Sequence, residues 1–330
     1  MKHTAQHILL LAFNLFDKMQ SILRGGNRIL ISRSTNVYTN LALERYLAEN
    51  IKHQPKTRLL LLWRNKPCVV IGRYQNPFAE SDIHYLAEKQ IDLARRYSGG
   101  GTCYHDLGNL NLTILTTRQD YNRKKNLQWV VNTINKAYDL NLHITDRDDI
   151  FLDQYKVTGS ASRLERLYAY HHFTLLINSD LNHLRRSLKS PDQSNITSKA
   201  TMSVRSSVLN LSDRNDELTY EKTLELLIKN FFKWNNESIN SSNYDYIDPL
   251  LYYEEIKDFE SELKSDKFLF QGTPPFVYTI QNVKQTIEIT IENGLITNIK
   301  GNDFIDENKQ FRGQLFHLLL LLLFQRRIDS

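Results

Sequence analysis

Three segments of the chain bring together residue types suited to handling an anion. The first is Ile71-Gly72-Arg73, followed by Gln75-Asn76-Pro77. The second runs Arg95-Arg96-Tyr97-Ser98-Gly99-Gly100-Gly101-Thr102-Cys103-Tyr104-His105-Asp106. The third is Lys156-Val157-Thr158-Gly159-Ser160-Ala161-Ser162-Arg163, followed by His171-His172-Phe173-Thr174. Consecutive glycines between apolar strands are unfavourable, because glycine loses the most conformational freedom on folding. Such a run suits a place where backbone must approach a ligand closely or adopt a positive φ. Successive N–H groups in such a turn form a concave nest for an anion. Arg95 and Arg96 just upstream add positive charge. The combination suits a phosphate or a mixed anhydride. It is neither a P-loop nor a dinucleotide fingerprint, since neither glycine spacing is present. The competing reading is a flexible hairpin tip. Arg96 before the run and Tyr104-His105-Asp106 after it favour a ligand site.

Lys156 follows the apolar run Ile150–Leu152 and precedes a Gly-Ser turn, which points to a partly enclosed ammonium. Held there, it donates to phosphate and carbonyl oxygens as a compact point charge. His171 and His172 look like a metal pair only at first sight. Neighbouring side chains on a strand point to opposite faces, so the two do not easily grip one ion. One is expected to face the site and the other a packing layer. Cys103, His105 and Asp106 also lack metal-ligand spacing. The sequence therefore predicts no protein-bound metal, and no Ser-His-Asp or Cys-His arrangement is assignable.

These segments need a scaffold. Ile29 to Ser32 reads as a short strand, and Ser34 and Thr35 offer N-caps to a helix over about Val37–Glu49. Leu59 to Trp63 and Val69 to Ile71 flank Asn65-Lys66-Pro67, the signal of two buried strands joined by a turn. Asp82 to Gln90 reads as a helix, and Ile91 to Arg95 leads back into a strand. Asn109 to Thr116 alternates, with Leu110, Leu112 and Ile114 on one side, as a half-buried strand does. Asn126 to Leu140 is helical. Ile150 to Leu152, Lys156 to Thr158 and Tyr168 to Ile177 read as strands, and Leu181 to Leu188 as a helix. Ser190 to Ser207 is polar and reads as a surface loop. Asp216 to Trp234 is a helix and Asn235 to Asn243 a linker. Thr286 to Ile291 alternates, Asn293-Gly294 supplies a type I′ turn, and Leu295 to Ile299 returns. This predicts an α/β first domain to about residue 235 and a small α+β domain after it.

The 330 residues suit about two domains. Hydrophobic residues at 41% and charged residues at 24% exclude a disordered chain, collagen or a coiled-coil rod. Two cysteines exclude a disulfide framework. The net charge is +5, which raises the question of nucleic acid. Residues 1–35 hold Lys2, Lys18, Arg24, Arg28 and Arg33 against Asp17, so they carry +4 of that excess. The body is nearly neutral, and no nucleic-acid partner is expected. A basic, acid-poor leader with an apolar face from Ile8 to Phe16 reads as an organelle transit peptide. A secretory signal is the weaker rival, because no A-x-A-like cleavage site follows. No window reaches the roughly 18–20 apolar residues that span a bilayer. The longest apolar run, Leu318 to Phe324, is too short to span.

Together the three segments resemble the lipoate-protein ligase and lipoyltransferase family. Arg95 to Asn111, and Lys156 to Arg163 followed by His171 to Leu176, match the family's two blocks in order and spacing. The resemblance is strong from about Asn36 to Leu211 and continues, weaker, through Tyr278. Lys189-Ser190-Pro191, Ser198-Lys199-Ala200-Thr201 and the leader resemble the mitochondrial lipoyltransferase branch. The resemblance implies an α/β (α+β) fold. A biotin/lipoate-protein ligase-like catalytic domain, with a mixed sheet and flanking helices, would occupy residues 31–235. A small α+β accessory domain would occupy 244–310, and residues 1–30 would be the transit peptide. By position it implies Lys156 as the catalytic lysine, contacting phosphate and carboxyl oxygens of lipoyl-AMP. Arg96 and the block Ser98, Gly99, Gly100, Gly101, Thr102, Cys103, Tyr104 and His105 would line the adenylate site. Arg147, Thr174 and Thr201 fall where the transferase branch touches its ligand, with Gly159, Ser160, His172 and Ser203 beside them. Arg73 and Gly72 would sit beside the lipoyl pocket. The implied acceptor is a lysine on the lipoyl domains of 2-oxoacid dehydrogenase complexes or on the glycine cleavage H protein. A monomer in the mitochondrial matrix is expected.

From about Phe311 the chain departs from the family pattern. Leu318–Leu323 and a short polar end replace the continuation of the accessory domain, which leaves that domain incomplete and 311–330 an atypical Leu-rich tail. In the ligases this domain takes part in adenylation, so the departure bears on ATP-dependent activation more than on transfer. The leading expectation is a lipoyltransferase working from lipoyl-AMP or a lipoylated carrier such as H protein. An ATP-dependent lipoate-protein ligase, using Mg-ATP, is the alternative on the same fold. A non-catalytic binder of lipoyl-AMP or lipoyl domains is the alternative of another class.

Overall fold

The computed structural model describes residues 20–24, 26–237, 243–252, 254–281, 286–301 and 313–316. Most of the expected transit peptide, part of the Asn-rich linker, and Leu318–Leu323 lie outside the described residues. The strands are β1 (Arg28–Ser32), β2 (Leu59–Trp63), β3 (Cys68–Ile71), β4 (Asp92–Arg95), β5 (Cys103–His105), β6 (Asn109–Thr117), β7 (Leu142–Ile144) and β8 (Ile150–Leu152). They continue with β9 (Tyr155–Lys156), β10 (Ser160–Leu164), β11 (Tyr168–Leu176), β12 (Ile196–Ser198), β13 (Tyr244–Ile247), β14 (Phe276–Gln281), β15 (Thr286–Glu292) and β16 (Leu295–Lys300). The chain divides into two compact units, each discontinuous in sequence. One comprises Met1–Lys66, His105–Leu181 and Arg205–Ser261; the other comprises Pro67–Tyr104, Asn182–Val204 and Glu262–Ser330.

The first unit is built on a six-stranded mixed sheet in the order β10-β11-β6-β2-β1-β13. Strands β13, β1 and β2 run parallel; β2, β6, β11 and β10 alternate antiparallel. Strand β2 is apolar at every position and buried at every position, as a strand covered on both faces must be. On one face Ile29, Leu60, Leu62, Leu112 and Phe173 share a core with Leu127, Val130, Leu227 and Phe231 from the helices Arg123–Tyr138 and Tyr220–Trp234. The second of these helices buries Thr223, Leu224, Leu227, Ile228, Phe231 and Phe232, the stripe that the 3.6-residue period requires. Toward the opposite face the helix Val37–Asn50 contributes Glu44, which accepts from Thr113 Oγ1 at 2.7 Å. A smaller antiparallel sheet, β7-β8-β9, completes the unit.

Three sequence expectations change here. Strand β6 is buried on both sides rather than half-buried, because helices cover both faces of the sheet. Strands β2 and β3 both form and are buried, as the sequence predicts, and they join different sheets. The helix at Val37 is capped by Asn36, whose side chain accepts from Tyr38 N and Thr39 N; Ser34 instead supports Asn36 itself. Ser190–Ser207 is more than a surface loop. It contains a 3₁₀ turn (Gln193–Asn195) and strand β12, and it buries Ser190 and Ala200.

The second unit holds an antiparallel sheet in the order β12-β14-β15-β16 and a three-stranded sheet in the order β4-β3-β5. Their shared core includes Val69, Ile71, Phe78, Tyr104, Phe270, Phe276, Ile291 and Phe316. The β15–β16 turn takes the predicted form, with Asn293 at φ 51° and Gly294 at φ 71°. Arg95 is fully buried at the end of β4. Its guanidinium donates to the carbonyls of Leu269, Gly72, Arg73 and Gln75 and to Thr273 Oγ1. Burial, and secondarily the charge of Arg73, draw its pKa down to about 10, so it remains a cation at neutral pH.

Candidate functional site

The glycine run of the first motif block belongs to the second unit, and the whole of the second block belongs to the first unit. In the second unit the glycine run forms a turn between β4 and β5, with Gly100 at φ 87°. Arg96, 4% exposed, lies under this turn. It donates to the carbonyls of Gly99 at 2.7 Å, Gly101 at 2.6 Å and Val70 at 3.1 Å, and to Ser98 Oγ at 3.0 Å. The guanidinium is thus engaged by two carbonyls of the turn, the Ser98 hydroxyl and the carbonyl of Val70 in β3. Among the described residues no protein acceptor takes the N–H of Gly99, Gly100 or Gly101. Donors without acceptors in a rigidly held turn are what an anion-binding nest requires.

A polar ring fastens the turn to two other segments. Gln75 Oε1 accepts from Gly72 N at 2.8 Å and from Thr102 Oγ1 at 2.9 Å. Ser203 Oγ accepts from Thr102 N at 2.8 Å and from Gln75 Nε2 at 3.0 Å. Glu80, 5% exposed, accepts from Ser203 N at 3.1 Å. Gly72 is fixed by sterics, because a Cβ there would meet Gly100 O at 2.1 Å. Thr201 N donates to Tyr74 O at 3.1 Å, and Arg73 stacks over Phe268, 4.7 Å from the ring centre.

In the first unit Lys156 ends β9. Its backbone N–H donates to Ser207 O and its carbonyl accepts from Leu209 N, so neighbouring chain pins it on both sides. The ammonium lies 2.8 Å from Asp149 Oδ2, with the two side chains 19% and 14% exposed. The partly enclosed lysine expected from sequence is what is observed. Thr174 N donates to Gly159 O at 2.8 Å, and Thr174 Oγ1 accepts from Gly159 N at 2.7 Å. Ser160 Oγ lies 2.8 Å from His171 Nε2 and accepts from Arg123 Nε at 3.2 Å. Burial first, and then the charges of Arg123 and His172, push His171 well below the usual histidine range.

The two histidines lie on opposite faces of β11. His171 meets Asn126 of one flanking helix; His172 Nδ1 lies 2.8 Å from Glu44 Oε1 of another. His105 packs edge-on to Trp63, with Nδ1 3.1 Å from Asn65 Nδ2. Arg147 is exposed, and Cys103 is half-buried with a free thiol. Among the described residues no group of three His, Cys, Asp or Glu side chains is placed to hold a metal ion. No described helix is long and apolar enough to cross a membrane.

The structure therefore brings Arg73, Arg96, Ser98 to Tyr104, Thr201 and Ser203 into the second unit. It brings His105, Arg147, Lys156, Gly159, Ser160, His172 and Thr174 into the first. Sequence reasoning passed over Glu80, Glu44 and Asp149. Glu80 sits in a short helix capped by Asn76, and a buried carboxylate in an apolar surrounding was the available signal.

Residues 36–232 match the lipoyl protein ligase A/B catalytic domain. The human protein named lipoyl amidotransferase LIPT1, mitochondrial, is 37% identical over 83% of this chain and 76% of its own length. Its mouse counterpart is 46% identical over 58% of this chain and 52% of that protein. Among solved structures, P. falciparum LipL1 in complex with lipoate is 28% identical and superposes with a TM-score of 0.66, covering 84% of each chain. A glycine turn with free donors, an enclosed lysine after a short strand and a match over more than half the length agree: the chain belongs to the lipoyl protein ligase A/B catalytic domain family.

Proposed function

We propose that this chain moves a lipoyl group from an activated donor to the side-chain amine of a lysine on a protein. As a member of its family it is an enzyme of lipoyl transfer, an acyltransferase, and its human and mouse relatives are named mitochondrial. The finer reading assigns lipoyl-AMP, or a lipoylated carrier such as glycine cleavage H protein, as donor. It assigns lipoyl domains of 2-oxoacid dehydrogenase complexes as acceptors, in the mitochondrial matrix.

The chemistry makes modest demands. The lysine amine attacks the acyl carbon of the adenylate. A C–N bond forms, the C–O bond to phosphate breaks, AMP leaves with that electron pair, and the amine loses a proton. Lipoyl-AMP is already activated, so with that donor the enzyme supplies no nucleophile. It must hold the anhydride, stabilise charge on the carbonyl oxygen and position the amine. The observation that carries the reading is the Gly99–Gly101 turn, whose carbonyls are tied to Arg96 while its N–H groups lack protein acceptors. In this proposal those N–H groups take an anionic oxygen of the donor, and the role the family's second block gives Lys156 is electrostatic.

The test supplies a lipoyl acceptor domain with lipoate plus Mg-ATP, with purified lipoyl-AMP, or with lipoylated H protein. Transfer from lipoyl-AMP or H protein alone supports the transferase. Turnover from lipoate plus Mg-ATP makes the chain a full ligase. Binding without turnover in all three overturns the enzymatic reading.

A further inference from the structure

The helices Arg123–Tyr138 and Tyr220–Trp234 leave along their outer edge a groove of about 860 Å³. Five cations line it: Arg58, Lys125, Lys136, Lys229 and Lys233. No acidic side chain is among its lining residues. The concentration of charge is local, since the body of the chain is nearly neutral. It is also unfavourable for the fold. The helix Arg123–Tyr138 has no acid in its first turn and begins Arg123-Lys124-Lys125, opposite to what its dipole favours. Lys229 and Lys233 stand at i and i+4, where like charges repel. None of these residues belongs to either motif block.

The spacing says what kind of anion fits. Lys125 and Lys136 are eleven residues apart on one helix, about 16 Å at the helical rise of about 1.5 Å per residue. A single phosphate does not bridge that distance, whereas an extended acidic surface does. The aromatic groups at the groove are already engaged. Trp129 stacks on Trp234 with ring centres 5.1 Å apart, and Arg58 covers Trp234 at 4.3 Å. No open ring face remains there for a base, which disfavours single-stranded nucleic acid. The groove is a concavity lined by five cations, not the convex apolar face that inserts into a membrane surface.

We propose that this groove docks a protein partner through a strip of acidic side chains about 16 Å long. The charge steers the encounter and fixes the register, as complementary potentials do at interfaces. The proposal stands independently of the transfer reaction.

The test uses the full chain and a fluorescein-labelled, glutamate-rich helical peptide of about fifteen residues, long enough to span the groove. Anisotropy is followed across a salt series. The wild type is expected to bind, with affinity falling as salt rises. The charge reversal Lys125→Glu/Lys229→Glu/Lys233→Glu is expected to weaken binding about tenfold or more. The milder set Lys125→Gln/Lys229→Gln/Lys233→Gln, checked by circular dichroism, reports the same loss if the reversal perturbs folding. Reversing three exposed lysines elsewhere, Lys52, Lys66 and Lys300, is expected to leave affinity within about twofold. Equal losses in the groove and control sets overturn the proposal, because net charge then suffices. So does preferential binding of a DNA oligonucleotide or of anionic vesicles, or self-association as the only interaction measured.

Discussion

The Lys156 ammonium and the Asp149 carboxylate form an ion pair at 2.8 Å, with both side chains largely shielded from water. An ammonium has three donors. Asp149 takes one, which leaves two directed by the pair's geometry and by a backbone fixed at Ser207 and Leu209. The arrangement orients a positive charge without neutralising its capacity to donate. Lys156→Ala is therefore expected to lower transfer from purified lipoyl-AMP about 100-fold or more, the scale of losing one preorganised donor at a developing charge. Asp149→Asn keeps the ammonium but loosens its orientation, and a loss of about tenfold is expected. Single-turnover transfer to an acceptor domain measures both. Unchanged transfer in Lys156→Ala would remove the lysine from the mechanism.

Two glycines of the second unit make opposite predictions. A Cβ on Gly72 would fall 2.1 Å from the carbonyl oxygen of Gly100, a backbone atom that does not yield easily. A Cβ on Gly99 would meet nothing within 4 Å. Gly72→Ala is expected to destabilise the protein by about 2 kcal/mol or more, in the range of overpacking. Gly99→Ala should stay within about 0.5 kcal/mol, as an unconstrained surface change does. Urea midpoints of the two variants decide it. Equal stability would mean that the turn does not press against Gly72.

Arg96 separates charge from shape. Its planar fork reaches Ser98 Oγ and the carbonyls of Gly99, Gly101 and Val70. Lysine keeps the charge but cannot reproduce that fan of donors. Arg96→Lys is expected to cost about 2–3 kcal/mol, because buried acceptors are left without partners. It should also weaken lipoyl-AMP binding, as the turn loses its brace. A variant with wild-type stability and weakened binding would instead mean that the guanidinium meets the ligand directly.

The parts of this architecture that were legible in the sequence are local. Three glycines in a row announce a special backbone, and Asn293-Gly294 between alternating strands announces a hairpin. Lys156 between an apolar strand and a Gly-Ser turn announces an enclosed ammonium. What was not legible depends on partners far away in the chain. Ser203 reaches Thr102 and Gln75 across more than 100 residues. Glu44 meets His172 across 128 residues. Arg96 looked like a free cation because its acceptors are backbone carbonyls, which no residue pattern displays. The cap falls to Asn36 and not to Ser34 or Thr35 for a similar reason, since all three residue types can cap and only geometry chooses among them.

His171, one of two buried histidines of β11, makes the stability depend on pH. His171 lies between Asn126 Nδ2 and Ser160 Oγ, and burial, reinforced by the charges of Arg123 and His172, holds its folded pKa well below the ordinary 6.5. In the unfolded chain the imidazole takes up a proton as pH falls through about 6.5, while in the folded chain it stays neutral. The unfolded state therefore binds more protons in this window, so stability is complete above about 6.5 and is lost as pH falls below it. The limiting slope is about 1.4 kcal/mol per pH unit for one such group. The urea midpoint is expected to be level from pH 8 to 7 and to decline from 6.5 toward 5. His171→Gln offers an amide in place of the ring and removes the titration. Its midpoint should be lower at pH 8, through loss of packing, and flatter between 7 and 5. An unaltered slope in His171→Gln would assign the acid sensitivity to another group.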